Sequence, residues 1–93
     1  MQISCCPICG LPWSTTKDIK EVVMSFDICE CCGCEYGYDD TSAYRAEWLK
    51  KGAPWFNKKE RPSEWNMEKQ LQNIVPNWDK LRFNWRTLFT KKE

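Results

Sequence analysis

Apolar positions repeat with different periods along this chain, and each period predicts an element. In Glu21-Val22-Val23-Met24-Ser25-Phe26-Asp27-Ile28, residues 22, 24, 26 and 28 are apolar at every second position. That period places alternate side chains on one face, so a strand with one buried face is expected. The strand leads into Cys29, and Glu35-Tyr36-Gly37-Tyr38 is expected to return beside it as the second arm of a hairpin. Leu11 to Lys20, with Pro12, Ser14, Thr15 and Thr16, reads as an irregular loop.

Beyond residue 40 the period lengthens. Tyr44, Trp48 and Leu49 share one face of a helix running from Ser42 to Lys51. Asp39-Asp40-Thr41 offers it capping groups, lysines end it and Gly52 closes it, in keeping with the helix dipole. Ala53-Pro54-Trp55-Phe56 breaks the pattern, and Asn57 to Pro62 reads as a charged loop. Met67, Leu71 and Ile74 predict a second helix over about 67–73, capped by Asn66 and stopped before Pro76. From Trp78 onward two readings compete: Trp78, Leu81, Trp85 and Leu88 fit a helix, whereas Leu81, Phe83, Trp85, Thr87 and Phe89 fit a strand. Asn77 as a possible cap and the late lysines favour the helix.

The predicted architecture is a small α+β metal-binding domain: a hairpin with two metal knuckles over residues 1–40, then two or three short α-helices over 41–93. Its 93 residues form one domain near the size at which a metal or another staple aids a modest core.

Cysteine usage sharpens that picture. Cys6-Pro7-Ile8-Cys9-Gly10 and Cys29-Glu30-Cys31-Cys32-Gly33 are two Cys-x-x-Cys-Gly knuckles. Each turns two sulfurs toward one point, with a glycine free to take positive φ, and four such thiolates make a tetrahedral zinc site. Cys6, Cys9, Cys29 and Cys32 are therefore the candidate ligands of one Zn2+. The competing register, Cys31 with Cys34, places Gly33 inside the pair and Glu35 after it, and Cys5 in place of Cys6 lacks the matching spacing. Iron in four thiolates shares the pattern and stays open. Histidine is absent, which excludes mixed Cys–His sites and imidazole catalysis. A closed all-thiolate site is structural, with no position for water or substrate.

Cys-Pro-x-Cys also occurs in glutaredoxins, but Pro12 interrupts the helix that chemistry requires, and a second matching pair would go unexplained. Cys5, Cys31 and Cys34 read as small structural thiols, or as redox-sensitive neighbours of the metal that nearby acids would slow. The odd total of seven cysteines argues against a disulfide framework. The first residues carry no basic start, apolar run or cleavage site, and no stretch reaches the roughly 18 apolar residues of a membrane helix. A reducing, cytoplasmic setting without membrane contact is expected.

Charge is divided along the chain. Residues 1–40 carry two lysines and seven acids, a net of −5, and residues 41–93 twelve Lys and Arg against six acids, a net of +6. Asp27, Glu30, Glu35, Asp39 and Asp40 crowd the second knuckle, an environment hostile to phosphate. Six tryptophans are partly core and partly candidate contact surface. Trp55 and Phe56, beside Lys58, Lys59 and Arg61, are the expected exposed partner-binding group. No paired carboxylates, phosphate loop or nucleophile–base signature can be assembled, so no enzyme is predicted.

The motifs resemble those of small cysteine-rich zinc-ribbon proteins of bacteria and phages. Cys6-Pro7-Ile8-Cys9-Gly10, Ile28-Cys29-Glu30-Cys31-Cys32-Gly33 and Glu35-Tyr36-Gly37-Tyr38-Asp39-Asp40 carry the likeness. Tyr44-Arg45, Trp48, Gly52, Trp55, Trp65-Asn66 and Gln70-Leu71 follow in the same order. Glu30 stands where proline is usual, and Cys34 where an aromatic is usual, which adds a fifth potential ligand. The resemblance implies a zinc ribbon with a helical C-terminal part and a role in binding another protein, as an inhibitor or immunity-type factor. The alternative is nucleic-acid binding through the basic half, with Arg45, Lys50, Lys51, Lys58, Lys59 and Arg61 against phosphate.

Overall fold

The computed structural model describes residues 2–82. Its elements are strands β1 (Gln2–Cys5) and β2 (Pro12–Asp18), helices α1 (Ile19–Ser25), α2 (Ser42–Lys50) and α3 (Met67–Leu71), and a 3-10 turn at Lys58–Glu60. Residues 78–82 are helical again. The molecule is thus a small α+β fold with one antiparallel two-stranded hairpin. Its register pairs Gln2 with Asp18, Ile3 with Lys17 and Cys5 with Pro12, with an irregularity between Ile3 and Cys5.

Three expectations for the first forty residues are corrected. Residues 12–18, expected as loop, form strand β2, because β1 lies alongside and pairs with it. Trp13 packs edge-on against Tyr36 at 5.9 Å, anchoring the strand to the core. Residues 21–25, the first part of the expected strand, lie instead in helix α1, which begins at Ile19 inside the expected loop. A capping box drives this: the Asp18 side chain accepts the Lys20 amide (3.1 Å), and Glu21 accepts the Asp18 amide (3.2 Å). Ile19, Val22 and Val23 then share one buried helical face, whereas Met24, Phe26 and Ile28 are exposed. Phe26 ends the helix with φ 58°. The expected return strand at 35–38 reduces to a single antiparallel bridge, Ile28 to Glu35, followed by a turn.

The later elements follow their local signals. The Thr41 side chain caps α2 by accepting the Tyr44 amide (3.1 Å), and Gly52 stands beyond its end with φ +92°. Asn66 caps α3 through the Lys69 amide (3.0 Å). The stretch from residue 78 is helical as far as it is described; Phe83, Trp85, Thr87, Leu88 and Phe89 lie outside the described residues. Asp39 and Asp40 do not cap α2. Asp39 accepts the Glu35 amide (2.7 Å), while buried Asp40 accepts Trp78 Nε1 (2.9 Å), Arg82 Nε (2.8 Å) and the Gly37 amide (3.0 Å). Burial nevertheless holds the Asp40 carboxyl above its ordinary pKa.

The core is continuous across the charge division. Ile3, Ile8, Val22, Val23 and Tyr36 pack with the buried cysteines and with Trp48, Trp55, Val75 and Trp78. Trp65 joins Trp48 and Trp55, with ring centroids 6.4 Å and 5.5 Å apart. The tryptophans among the described residues thus serve mainly to fill the interior, as large side chains do in a small domain.

Candidate metal centre

Both knuckles are built by the same two backbone bonds. In the first, Cys6 donates to the Leu11 carbonyl (2.8 Å) and Gly10 to the Cys6 carbonyl (2.8 Å). In the second, Cys29 donates to Cys34 (2.9 Å) and Gly33 to Cys29 (2.9 Å). Gly10 and Gly33 hold φ of +86° and +80°, a region side chains disfavour. Gly10 is also constrained from outside: a Cβ there would stand 2.1 Å from the Gln70 carbonyl oxygen. The β1–β2 hairpin presents the first knuckle at its tip, and the Ile28–Glu35 bridge frames the second.

The sulfurs of Cys6, Cys9, Cys29 and Cys32 all lie within 4.8 Å of one another, and all four residues are buried. The close pairs cross between knuckles, Cys6 to Cys32 at 3.9 Å and Cys9 to Cys29 at 3.7 Å. A tetrahedral ion with metal–sulfur bonds of about 2.3 Å needs edges of about 3.8 Å, so the donor set fits one ion. These are the four residues that the spacing singled out. Cys34, the fifth potential ligand, is not part of that group.

Proton sharing within the cluster is unequal. Burial opposes ionisation of Cys6, but hydrogen bonds from Cys29, Cys32, Cys34 and Cys9 bring its thiol well below the ordinary range. Hydrogen bonds to Cys29 and neighbouring thiols hold Cys9 and Cys32 above it. Four thiolates so close together repel, and a divalent cation is what lets all four ionise at once.

The helices support the knuckles through polar side chains whose role no motif announced. From α2, Arg45 Nε donates to the Ile8 carbonyl (2.6 Å) and its Nη2 to Pro7 (3.2 Å), while the Tyr44 hydroxyl donates to Cys32 (2.8 Å). From α3, buried Gln70 Nε2 donates to the Cys9 carbonyl (3.2 Å) and lies 3.4 Å from Cys31 Sγ. Asn73 Nδ2 donates to the Gly10 carbonyl (3.2 Å). Phe56 and Asn57 donate their amides to Cys31 and Glu30 (both 2.9 Å), pairing backbone with the second knuckle. One signal could have revealed Gln70: it is a polar residue three positions after Met67, on the helix's apolar face.

The remaining thiols serve packing. Cys31 and Cys34 are fully buried, and half-buried Cys5 donates to the Asn73 carbonyl (3.0 Å).

The expected partner-binding group divides. Trp55 is buried, 5% exposed, against Trp65, because residues 53–57 fold back over the second knuckle. Phe56, adjacent, is 63% exposed. Lys58, Lys59 and Arg61 are exposed, with the Arg61 guanidinium 5.4 Å from the Trp65 ring. Among the described residues no helix is long and apolar enough to cross a membrane. No protein-family model, curated protein or solved structure matches the chain.

Proposed function

We propose that Cys6, Cys9, Cys29 and Cys32 bind one structural Zn2+ in a zinc-ribbon arrangement, and that the protein is a non-enzymatic module that binds another protein. The carrying observation is the convergence of four buried sulfurs from two identically built knuckles. The ion occupies no substrate position in this reading: its four ligands are all protein thiolates, and α2 and α3 close over the knuckles from behind. Zinc is favoured over iron as the redox-inert ion commonly held in such closed four-thiolate sites.

Native mass spectrometry of freshly purified protein tests the metal reading. One zinc per chain is expected, with loss of near-ultraviolet circular dichroism on chelation. A folded chain without metal, or a red iron-bearing preparation, would overturn it.

Nucleic-acid binding is the weaker reading. Exposed Lys50, Lys51, Lys58, Lys59 and Arg61 favour it, but Arg45 is committed to knuckle carbonyls. Gel-shift titration discriminates, because phosphate binding must fall steeply with salt.

A further inference from the structure

We propose that the face around the second knuckle docks a cationic segment of another protein, one that carries apolar side chains as anchors. The inference rests on the protein-binding reading above and names the partner's chemistry. Among the described residues, the exposed large hydrophobic side chains are Met24, Phe26, Ile28, Tyr38 and Phe56. Four of them fall between residues 24 and 38, and the fifth, Phe56, lies on the tip of the knuckle in that segment.

The second knuckle organises this apolar set. Phe56 covers Gly33, with its Cβ, Cγ and Cδ1 atoms 2.9–3.2 Å from where a Cβ on Gly33 would lie. The Phe26 ring stands 3.2 Å from the corresponding point at Gly37. Ile28 sits in the bridge with Glu35 that frames the knuckle. The aromatic and aliphatic side chains are thus tied to one rigid backbone unit, and ordering them on binding costs little.

Charge selects the occupant. Residues 24–40 contain no lysine or arginine, while Asp27, Glu30, Glu35 and Asp39 alternate with the apolar side chains. Asp27 and Glu30 are exposed. Among the described residues, Lys58 and Lys59, which follow Phe56, and Arg82, which donates to the Tyr38 carbonyl, stand at its margins. Four thiolates around a divalent ion would add two negative charges behind the surface. Nucleic acid and anionic lipid are repelled by such a face, and a second copy docked through the same face would set acid against acid. A basic segment with apolar anchors satisfies both halves of the pattern: its cations meet the acids and its side chains cover Phe26, Ile28 and Phe56.

Site-specific photo-cross-linking in the cells that naturally make the protein tests this, with benzoyl-phenylalanine replacing Phe56 in the full chain. The expected product is a cross-link to a net-positive peptide containing apolar residues. Its yield should fall about tenfold in the Asp27→Lys/Glu30→Lys double variant and in Phe26→Ser. Both substitutions are at exposed positions, and circular dichroism and metal content of the same samples report that folding is unchanged. Cross-links to nucleic acid, lipid, a second copy, another part of the same chain or an acidic segment would overturn the proposal, as would no cross-link at all. A folded sample lacking zinc would refute the metal reading alone, leaving the cross-link interpretable.

Discussion

Arg45 Nε lies 2.6 Å from the carbonyl oxygen of Ile8, so a guanidinium from α2 stands behind the middle of the first knuckle. Its second donor reaches the adjacent Pro7 carbonyl at 3.2 Å. Pro7 and Ile8 are both buried, and those carbonyls have few other sources of a donor: the Val75 amide approaches Pro7 at a longer 3.4 Å. Arg45 therefore satisfies buried backbone and places positive charge beside a cluster that becomes anionic when it holds a metal.

Arg45→Met should destabilise the metal-loaded protein by about 1–3 kcal/mol, the cost of leaving buried acceptors unpaired. Urea unfolding at fixed metal concentration measures this, and metal transfer to a chromogenic chelator should be faster than in wild type. Equal stability and equal transfer rates would show that the contact supports neither knuckle nor metal.

Cysteine substitutions should divide into two groups. Cys9→Ser or Cys32→Ser would remove a proposed ligand; structural zinc binding in small peptides is worth about 10–16 kcal/mol, comparable with the whole stability of a domain. Both variants should purify without stoichiometric metal and without cooperative unfolding. Cys5→Ala, which loses only a bond to the Asn73 carbonyl, should keep one metal per chain. Metal content by atomic emission distinguishes the groups.

Gly10 and Gly52 separate two reasons for a glycine. Both have strongly positive φ, +86° and +92°. Open space surrounds Gly52, whereas Gly10 meets the Gln70 carbonyl. Gly52→Ala should cost only the left-handed penalty of about 1–2 kcal/mol. Gly10→Ala should cost that and a further ~1–3 kcal/mol or more as α3 is pushed from the knuckle. Thermal unfolding of the two variants should show the larger fall for Gly10→Ala.

Acid should release the metal. Hydrogen bonds to neighbouring thiols hold Cys9 and Cys32 above the ordinary thiol pKa, so in the metal-free state they are protonated at neutral pH. Binding must expel those protons, so affinity rises with pH and falls on acidification, by about tenfold per pH unit for each proton displaced. Chelator competition between pH 8 and pH 5, values flanking neutrality, should give a metal affinity that falls throughout. A flat profile would mean that the thiols are not the ligands.

Among the described residues no group meets the buried Tyr36 hydroxyl in hydrogen-bond geometry, and burial raises its pKa, keeping it neutral. The hydroxyl therefore gains little from folding, and Tyr36→Phe should leave stability unchanged or raise it by about 1 kcal/mol. A loss larger than that in urea unfolding would reveal a partner for the hydroxyl.

Much of the candidate site was legible because its signals are local. Two residues between cysteines and a glycine after each pair specify a knuckle through bonds spanning four or five residues, and the caps at Thr41 and Asn66 act over three. The Asp18-x-x-Glu21 capping box was equally local, but the alternation at 22, 24, 26 and 28 obscured it. An alternating run shows a strand only if a partner covers its apolar face. Here Met24, Phe26 and Ile28 are left in solvent, and α1 buries 19, 22 and 23 instead.

By itself the sequence determined which cysteines form knuckles, where α2 and α3 begin, and how charge is divided along the chain, since each depends on neighbours within a turn. Tertiary structure alone decided the rest. It paired Cys6 with Cys32 and Cys9 with Cys29 across at least twenty residues, turned Trp55 inward beside an outward Phe56, and assigned Arg45 and Gln70 to the knuckles. Burial has no direction along the chain: apolar side chains compete for the same dry volume, and the packing of distant segments determines which are covered.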